Sequence, residues 1–188
     1  MKNMVAAICL LAIAFPTFAA EVSGIKVDDK ATVGGQELVL NGAGMRTRLF
    51  IKVYVGALYV PQKTNNTQGV VGPNQPRRMT LALQRDIGAD QLLEALRAGL
   101  AENNSQADLD AIKPQVDQFA TIFKSVGEAK AGQMLVIDYI PAEGTRVSLD
   151  GAVKGTIAGE AFNKALVSTW LGDKPVQESL KKALLGIG

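Results

Sequence analysis

The sequence predicts an α+β fold in which a layer of helices overlies an antiparallel sheet. Strand-like segments fill the first part of the chain, helical segments follow, and strands and then helices return. Asp150-Gly151 separates two of the later strand-like segments and is a type I′ hairpin signal, which joins antiparallel strands. Helices that are segregated from the strands in this way favour a layered α+β architecture.

Residues 1–19 are predicted to be a secretory signal peptide rather than part of the fold. Lys2 supplies a positive start, residues 4–15 form an apolar stretch, and Thr17-Phe18-Ala19 is an acceptable cleavage site. The apolar stretch is shorter than the roughly 20 residues of a spanning helix, so no membrane span is expected in the mature chain. We therefore expect a periplasmic or secreted protein with one domain over residues 20–188.

Short runs of β-branched and aromatic residues between turn-forming residues predict the strands of the first half. These runs are residues 21–27, 31–33, 37–40, 41–60 and 78–84. Gly34-Gly35 and Asn41-Gly42 are predicted turns, because Gly and Asn tolerate the backbone conformations that turns require. The polar stretch 62–77, which contains Gly and Pro, is predicted to be a loop.

Apolar residues at helical spacing predict the helices. The helices cover residues 91–101, with Asp90 as the N-cap, 105–126, 160–171 and 175–186. Ser105 and Asp108 resemble a capping box, and Pro114 predicts a kink or two consecutive helices. Gly172 is a predicted C-cap. The strands of the second half are predicted at residues 134–140, 146–149 and 153–157.

The composition excludes several classes of active site and partner. The chain has no histidine, and its single cysteine, Cys9, lies in the predicted signal peptide. Ser-His-Asp catalysis, a thiol nucleophile and a histidine or thiolate metal site are therefore excluded from the mature protein, and we expect neither a cofactor nor a metal. The formal net charge of +2 gives no support for a nucleic-acid partner or for binding to an anionic membrane surface. The sequence does not determine the oligomeric state.

Three cations interrupt an otherwise apolar predicted strand, namely Arg46, Arg48 and Lys52. Alternation along a strand would place them on one face with Phe50 and Tyr54. The other face would then be directed toward the core and consist of residues 47, 49, 51, 53 and 55. The cationic face is either an ordinary solvated surface or a pocket for an anion, because an arginine fork and a tyrosine hydroxyl suit a carboxylate.

The pocket hypothesis requires a bend in this strand. Eight residues of straight strand would hold Arg46 and Tyr54 roughly 26 Å apart, which is too far for one small ligand. The chain must therefore turn or bulge near residues 48–51 if both side chains contact the same molecule.

Two further residues, Arg85 and Thr169, each have two possible roles. Two others, Trp170 and Asp138, have a predicted position. Arg85 either forms a surface ion pair with Asp86 or lies at the mouth of the pocket. Thr169 would hydrogen-bond either a ligand or the carbonyl four residues before it in its own helix. Its neighbour Trp170 is predicted to be a core residue, and Asp138 is expected to point outward from its strand.

Gly42 and Gly44 are predicted to serve a turn or a close backbone approach, because the Lys-Ser/Thr of a phosphate-binding loop is missing. The run Gly42-Ala43-Gly44-Met45-Arg46, together with residues 52–59, resembles the signature of the chalcone isomerase superfamily. Residues 166–173 resemble the late helix of that family, and the element order agrees over nearly the whole mature chain. The resemblance is to exported bacterial chalcone isomerase-like proteins, and it implies an open-faced β-sandwich, a long sheet overlaid by helices.

The resemblance also implies roles for individual positions. The catalytic arginine of the isomerases falls on Arg46 and their late threonine or serine on Thr169. Tyr54 stands where their catalytic threonine is, and Gln91 and Ala98 stand where their cleft tyrosine and asparagine are. These departures predict that chalcone cyclisation is absent. In the fatty-acid-binding branch of the superfamily an arginine and a tyrosine hold a carboxylate, and Arg46 with Tyr54 resembles that pair.

Three functions follow as hypotheses. The first is a periplasmic protein that binds a small amphipathic carboxylate, such as a fatty acid, through Arg46 and Tyr54, with Thr169 and Arg85 as further ligand-binding candidates. The second is an isomerase or intramolecular lyase for a phenolic or enone substrate, with Arg46 stabilising an oxyanion. The third is a non-catalytic interaction protein whose cleft is filled by side chains.

Overall fold

The computed structural model describes residues 20–187, so the predicted signal peptide lies outside the described residues. The strands are β1 (Ala20–Val22), β2 (Ile25–Val27), β3 (Lys30–Val33), β4 (Gln36–Arg48), β5 (Ile51–Val60), β6 (Arg77–Leu83), β7 (Ile87–Gly88), β8 (Glu128–Ala129), β9 (Met134–Ile140), β10 (Gly144–Leu149) and β11 (Ala152–Ile157). Seven of them form one antiparallel sheet with the order β11-β10-β9-β6-β5-β4-β3, while β1–β2 and β7–β8 form two small pairs.

The helices are α1 (Thr67–Val71), α2 (Ala89–Asn103), α3 (Gln106–Ala111), α4 (Lys113–Val126), α5 (Glu160–Leu171) and α6 (Glu178–Leu184). Their apolar sides pack on one face of the large sheet and form the main core, in which Phe119, Phe162 and Leu166 meet the sheet residues Leu81 and Leu135. The predicted α+β fold, an antiparallel sheet overlaid by helices, is confirmed.

The opposite face of the sheet carries a second, smaller core. The β1–β2 pair covers this face with Val22, Ile25 and Val27, which pack against strand residues such as Val55 and Tyr59. The strand β5 therefore alternates between two apolar environments, because Leu58 and Val60 point toward the helices while Val55 and Tyr59 point away from them.

Gly42 and Gly44 bring the last helix close to the sheet. A Cβ atom at Gly42 would lie 2.0 Å from the carbonyl oxygen of Ala183, and one at Gly44 would lie 2.7 Å from the Ala183 Cβ. The predicted close backbone approach is therefore present. The predicted turn at Asn41-Gly42 is wrong, because β4 continues through both residues and shifts its register there by a bulge.

Several local predictions are confirmed. The strand 134–140 and the helix 160–171 have the predicted bounds. The Ser105 hydroxyl accepts a hydrogen bond from the Asp108 backbone N–H, and Pro114 lies in the first turn of α4, directly after α3 ends. Asp150 and Gly151 both have positive φ, 48° and 80°, as a type I′ turn requires.

Other local predictions are wrong for reasons that lie in tertiary contacts. The helix α2 begins at Ala89 rather than after Asp90, because the Ala89 N–H donates to the Gly127 carbonyl at 2.7 Å beside the β7–β8 pair. The helix α6 begins at Glu178 rather than at residue 175. The backbone before it bonds outside the helix, because the Val176 N–H donates to the Thr169 carbonyl at 2.9 Å.

Two more corrections concern a loop and an acid. The predicted loop 62–77 contains α1, whose N-cap Asn66 accepts from the Gly69 N–H at 2.8 Å and whose Val70 is fully buried. Asp138 does point away from the helices, but it does not reach solvent. It is 5% exposed and accepts two hydrogen bonds from the Arg78 guanidinium, at 2.6 and 2.7 Å.

Candidate functional site

A tight hairpin turn brings Arg46 opposite Tyr54. The strand predicted at residues 41–60 is in fact two antiparallel strands, β4 and β5, joined by Leu49 and Phe50. Both turn residues have positive φ, 48° and 68°, as in a type I′ turn. In the resulting register Arg46 pairs with Tyr54. Side chains directly opposite each other in this way lie about 5 Å apart at their Cβ atoms.

The bend that the pocket hypothesis required is therefore present, and it lies at the predicted residues. The predicted core-facing side of the stretch is wrong at its centre. Leu49 is 83% exposed and Ile51 is 52% exposed, because the turn carries both beyond the sheet. The straight-strand alternation fails wherever the chain reverses.

A β-bulge turns two consecutive side chains of β5 toward the helices. The register shifts between Arg46 and Thr47, so Val53 has no partner on β4. A bulged residue disturbs the alternation of a strand and re-aims its side chain. Val53 accordingly packs against the helix-side core together with Tyr54. This irregularity has no signal in the sequence, since neither residue is a glycine.

Arg46, Val53 and Tyr54 line a cavity of about 170 Å³ between the sheet and helices α2, α4 and α5. Its deepest residues are apolar and buried, and they are Leu81, Leu96, Phe119, Leu135, Ile137 and Leu166. The exposed lining residues mark its open side, and they are Arg48, Arg85, Gln91 and Ala95. The cavity thus has an apolar interior and cations toward its mouth.

Tyr54 presents its hydroxyl in this cavity. Its oxygen accepts a hydrogen bond from the indole Nε1 of Trp170 at 2.8 Å, and both side chains line the cavity. Burial raises the pKa of Tyr54, against the opposing effects of the Trp170 hydrogen bond and the Arg46 charge. The phenol therefore keeps its proton at neutral pH. Since the oxygen already accepts, that proton is the group that Tyr54 offers to a ligand.

Gln177 positions Arg46, and sequence reasoning missed it. The Gln177 Oε1 accepts from the Arg46 Nη1 at 3.1 Å and from the Thr47 N–H at 2.9 Å, while its Nε2 donates to the Met45 carbonyl at 3.3 Å. The Arg46 Nη1 also donates to the Thr47 carbonyl. Both bonds that the guanidinium donates come from Nη1. Within residues 20–187 the Nε and Nη2 donors of Arg46 have no recorded acceptor.

Thr169 and Arg85 both line the cavity, in different ways. The Thr169 hydroxyl donates to the Leu166 carbonyl at 2.7 Å. The bond is to its own helix, but to the carbonyl three residues back rather than the predicted four, and the hydroxyl oxygen can still accept. Arg85 is exposed at the mouth. Its predicted ion pair with Asp86 does not form among the described residues, because Asp86 pairs with Lys130 at 3.2 Å instead. The structure thus brings all four predicted site residues to one cavity.

Arg77 is a second cation that sequence reasoning missed, and it lies outside this cavity. It is 2% exposed, donates from Nε to the Asn163 Oδ1 at 2.7 Å and from Nη1 to the Val70 carbonyl at 3.1 Å, and lies 4.5 Å from the Tyr139 ring centroid. Burial lowers its pKa to about 10. These contacts tie the segment around α1 to α5 and the sheet.

No helix in residues 20–187 is both long and apolar enough to cross a membrane. Within the same residues, no three carboxylates gather closely enough to hold a metal ion.

The model of the chalcone isomerase-like family matches residues 19–186 of the sequence. The chain belongs to the chalcone isomerase-like family. No curated protein matches the sequence. A solved structure that this family member resembles is the Arabidopsis thaliana fatty-acid binding protein AtFAP1, at 13% sequence identity and a TM-score of 0.66. The match covers 87% of this chain and 92% of the plant protein, and it shows a shared fold.

The family membership confirms the resemblance drawn from residues 42–46 and 166–173. Within this chalcone isomerase-like chain, Gln91 lies at the open side of the cavity, where the resemblance places the tyrosine of the isomerases. Ala98, at the position of their asparagine, is exposed and is not among the residues that line the cavity. The lining therefore differs from the isomerase pattern at the positions where the sequence departs from it.

Proposed function

We propose that this protein binds a small amphipathic carboxylate, such as a fatty acid, in the cavity between the sheet and helices α2, α4 and α5. One observation carries the proposal: Arg46 and Tyr54 are cross-strand partners that line a cavity with an apolar interior. A carboxylate head with an apolar tail has the matching distribution of charge.

The polar end of the ligand would be held by complementary donors. The guanidinium of Arg46 offers Nε and Nη2, and the Tyr54 hydroxyl offers its proton. Charge-assisted hydrogen bonds of this kind contribute about 1.5–3 kcal/mol each, because the cavity shields them from water. Arg48 and Arg85 at the mouth would add a longer-range attraction for an anion.

The apolar end of the ligand is limited by the size of the cavity. A cavity of about 150 Å³ lined by aliphatic and aromatic side chains binds benzene. The 170 Å³ present here is therefore sufficient for roughly six carbon atoms. A longer chain would have to extend out of the mouth or part the helices. Binding should consequently strengthen with chain length only up to about that size.

The isomerase hypothesis has less support. No carboxylate lines the cavity of the described structure, so proton transfer would depend on Tyr54 or on water. The raised pKa of Tyr54 makes its phenolate scarce at neutral pH. The fatty-acid binding named for the similar plant protein agrees with a binding role. Loss of chalcone absorbance well above the uncatalysed rate would overturn this preference.

Trp170 provides a direct test, because it is the sole tryptophan of the chain and lines the cavity. Hexanoate, octanoate and laurate are titrated while tryptophan emission is followed, with hexanol as the uncharged comparison. We expect saturable changes for the carboxylates and affinity at least about 10-fold lower for the alcohol.

Arg46→Gln should weaken carboxylate binding by about 10-fold or more and leave hexanol unchanged. The matched control is Lys52→Gln, which removes an exposed cation from the same hairpin but not from the cavity lining. Equal binding by the Arg46→Gln variant and the unmodified protein would refute the proposed anchor.

We also propose that residues 1–19 are removed during export, which is supported by the charged start, apolar stretch and cleavage site of that segment. Expression of the full sequence in a bacterium should give a periplasmic protein whose first residue is Ala20. Mass spectrometry of the periplasmic fraction measures this. Intact chain in the cytoplasm would contradict the proposal.

A further inference from the structure

The tip of the β4–β5 hairpin exposes the most conspicuous apolar side chains of the described structure. Leu49 is 83% exposed, Phe50 is 103% exposed and Ile51 is 52% exposed. No residue from 46 to 54 is acidic, while Arg48 and Lys52 flank the three apolar residues. This segment, residues 48–52, is called the hairpin tip below.

The hairpin tip projects beyond the rest of the sheet. The neighbouring strand β6 pairs with β5 only from Tyr54 onward, and β3 pairs with β4 only over residues 36–39. Residues 47–52 therefore pair only with each other in the sheet. The tip is therefore a narrow protrusion. Such a shape is better suited to insertion between lipid head groups than to covering a flat protein surface.

The backbone of the tip shows that Leu and Phe are not there to stabilise the turn. Both occupy the positive-φ region, which is unfavourable for residues with a Cβ atom. Asn-Gly is the favoured pair for a type I′ turn. Two large apolar residues at such a turn destabilise the folded protein in two ways, through backbone strain and through exposure of apolar surface to water. Strained features of this kind concentrate at functional positions.

We propose that the hairpin tip inserts into the surface of an anionic lipid bilayer. Leu49 and Phe50 would enter the boundary between head groups and acyl chains, while Arg48 and Lys52 would contact anionic head groups, an arrangement typical of interfacial anchors. The tip combines exposed apolar side chains with two cations and has no acidic residue. This suits a bilayer, whose anionic head groups overlie an apolar interior.

Docking in this orientation has a consequence for the cavity. Arg48, the first residue of the tip, and Val53, the residue directly after it, both belong to the cavity lining. Because consecutive Cα atoms are about 3.8 Å apart, the Cα atom of Phe50 lies within roughly 7.6 Å of that of Arg48. The open side of the cavity would therefore face the bilayer. The inference itself rests on the tip and does not depend on which ligand the cavity holds.

The test uses the chain from Ala20, which contains every described element, and mixed phosphatidylcholine–phosphatidylglycerol vesicles in a flotation assay. We expect the protein to float with these vesicles and to float less with pure phosphatidylcholine. The decisive variant is Leu49→Asn with Phe50→Gly. It should reduce partitioning by about 10-fold or more, since it removes both apolar side chains.

This double variant is expected to fold. Asn-Gly suits the type I′ turn, so its melting temperature should equal or exceed that of the unmodified protein. Lys52→Gln should reduce partitioning into the anionic vesicles by about fivefold and leave carboxylate binding intact. Val153→Ser removes an apolar side chain that is 59% exposed on β11, and it should change nothing.

Two results would overturn the proposal. One is equal flotation of the unmodified protein and the Leu49→Asn, Phe50→Gly double variant. The other is absence of flotation together with a dimer, seen by analytical ultracentrifugation, that the double variant abolishes, because the tip would then be a contact between two copies of the chain.

Discussion

The indole Nε1 of Trp170 donates a hydrogen bond to the phenol oxygen of Tyr54 at 2.8 Å. This bond joins α5 to β5 and occupies a lone pair of the phenol oxygen, so the phenol proton remains available for donation to a ligand. It connects the two parts of the sequence that carry the family resemblance, the hairpin strand and the late helix. Both the stability of the fold and the polar end of the cavity depend on it.

Tyr54→Phe should therefore have two effects. It leaves the buried indole N–H without its acceptor, so the free energy of unfolding should fall by about 1–3 kcal/mol. It should also weaken carboxylate binding by about 2- to 10-fold, because one donor to the ligand is lost. Urea unfolding and calorimetric titration measure the two effects. Trp170→Phe keeps the hydroxyl and is the control; an equal loss of affinity in both variants would contradict direct donation by Tyr54.

The three tyrosines of the chain should all resist ionisation. Burial raises the pKa of Tyr54 and of Tyr139, and it raises that of Tyr59 to about 12. An unfolded chain releases these protons near pH 10. The stabilisation linked to these groups is therefore complete below pH 10 and is lost as the pH rises through the higher folded values.

Ultraviolet titration of the folded protein should show no tyrosinate step at pH 10, and the midpoint of urea unfolding should fall as the pH is raised further. Tyr59→Phe should remove the part of the titration near pH 12. A full tyrosinate step at pH 10 in protein that is still folded would contradict the buried position of these rings.

Gly44 and Gly56 are cross-strand partners that differ in the space available for a side chain. A Cβ atom at Gly44 would lie 2.7 Å from the Ala183 Cβ, whereas one at Gly56 would lie no nearer than 3.5 Å to any atom. Gly44→Ala should push α6 from the sheet and cost about 1–3 kcal/mol. Gly56→Ala is the matched control and should leave the unfolding free energy within about 0.5 kcal/mol. Similar losses in both variants would show that strand geometry, rather than contact with α6, requires glycine.

The Arg78–Asp138 pair should be sensitive to the loss of one partner. The Asp138 side chain is 7% exposed and that of Arg78 is 24% exposed, so Asp138→Ala leaves a largely desolvated guanidinium without its acceptor. We expect a loss of about 3 kcal/mol in urea unfolding. Arg78→Met combined with Asp138→Leu should recover most of it, since the charge is then absent.

The control for this pair is Glu37→Ala, which breaks the ion pair between Glu37 and Lys30. Both of these side chains are more than half exposed. It should change the unfolding free energy by at most about 1 kcal/mol. A small effect of Asp138→Ala would mean that water reaches Arg78 in its place.

Much of the fold could be predicted because its signals are local. Ser105 with Asp108, Pro114 and Asp150-Gly151 act through backbone geometry and hydrogen bonds within a few residues, and each has the predicted effect. The errors lie where distant residues decide. Asp138 is buried by its pairing with Arg78 on the neighbouring strand, which no local pattern encodes.

The candidate site divides in the same way. Arg46, Tyr54, Thr169 and Arg85 are recognisable in the sequence, because a cation in an apolar run and a family motif stand out without a structure. Gln177 and Val53 are not recognisable. Gln177 reaches Arg46 from the residues before α6, and Val53 enters the cavity lining through a bulge that depends on its partner strand.

The sequence by itself determined the class of the fold, the order of most of its elements and the arginine and tyrosine that stand out in one stretch. Only the tertiary structure decided that this stretch reverses at Leu49 and Phe50. Phe50 favours an extended strand, and neither residue favours positive φ, so local preference opposes the turn. Strand pairing and the packing of β4 and β5 beneath the helices outweigh that preference, and they place Arg46 beside Tyr54.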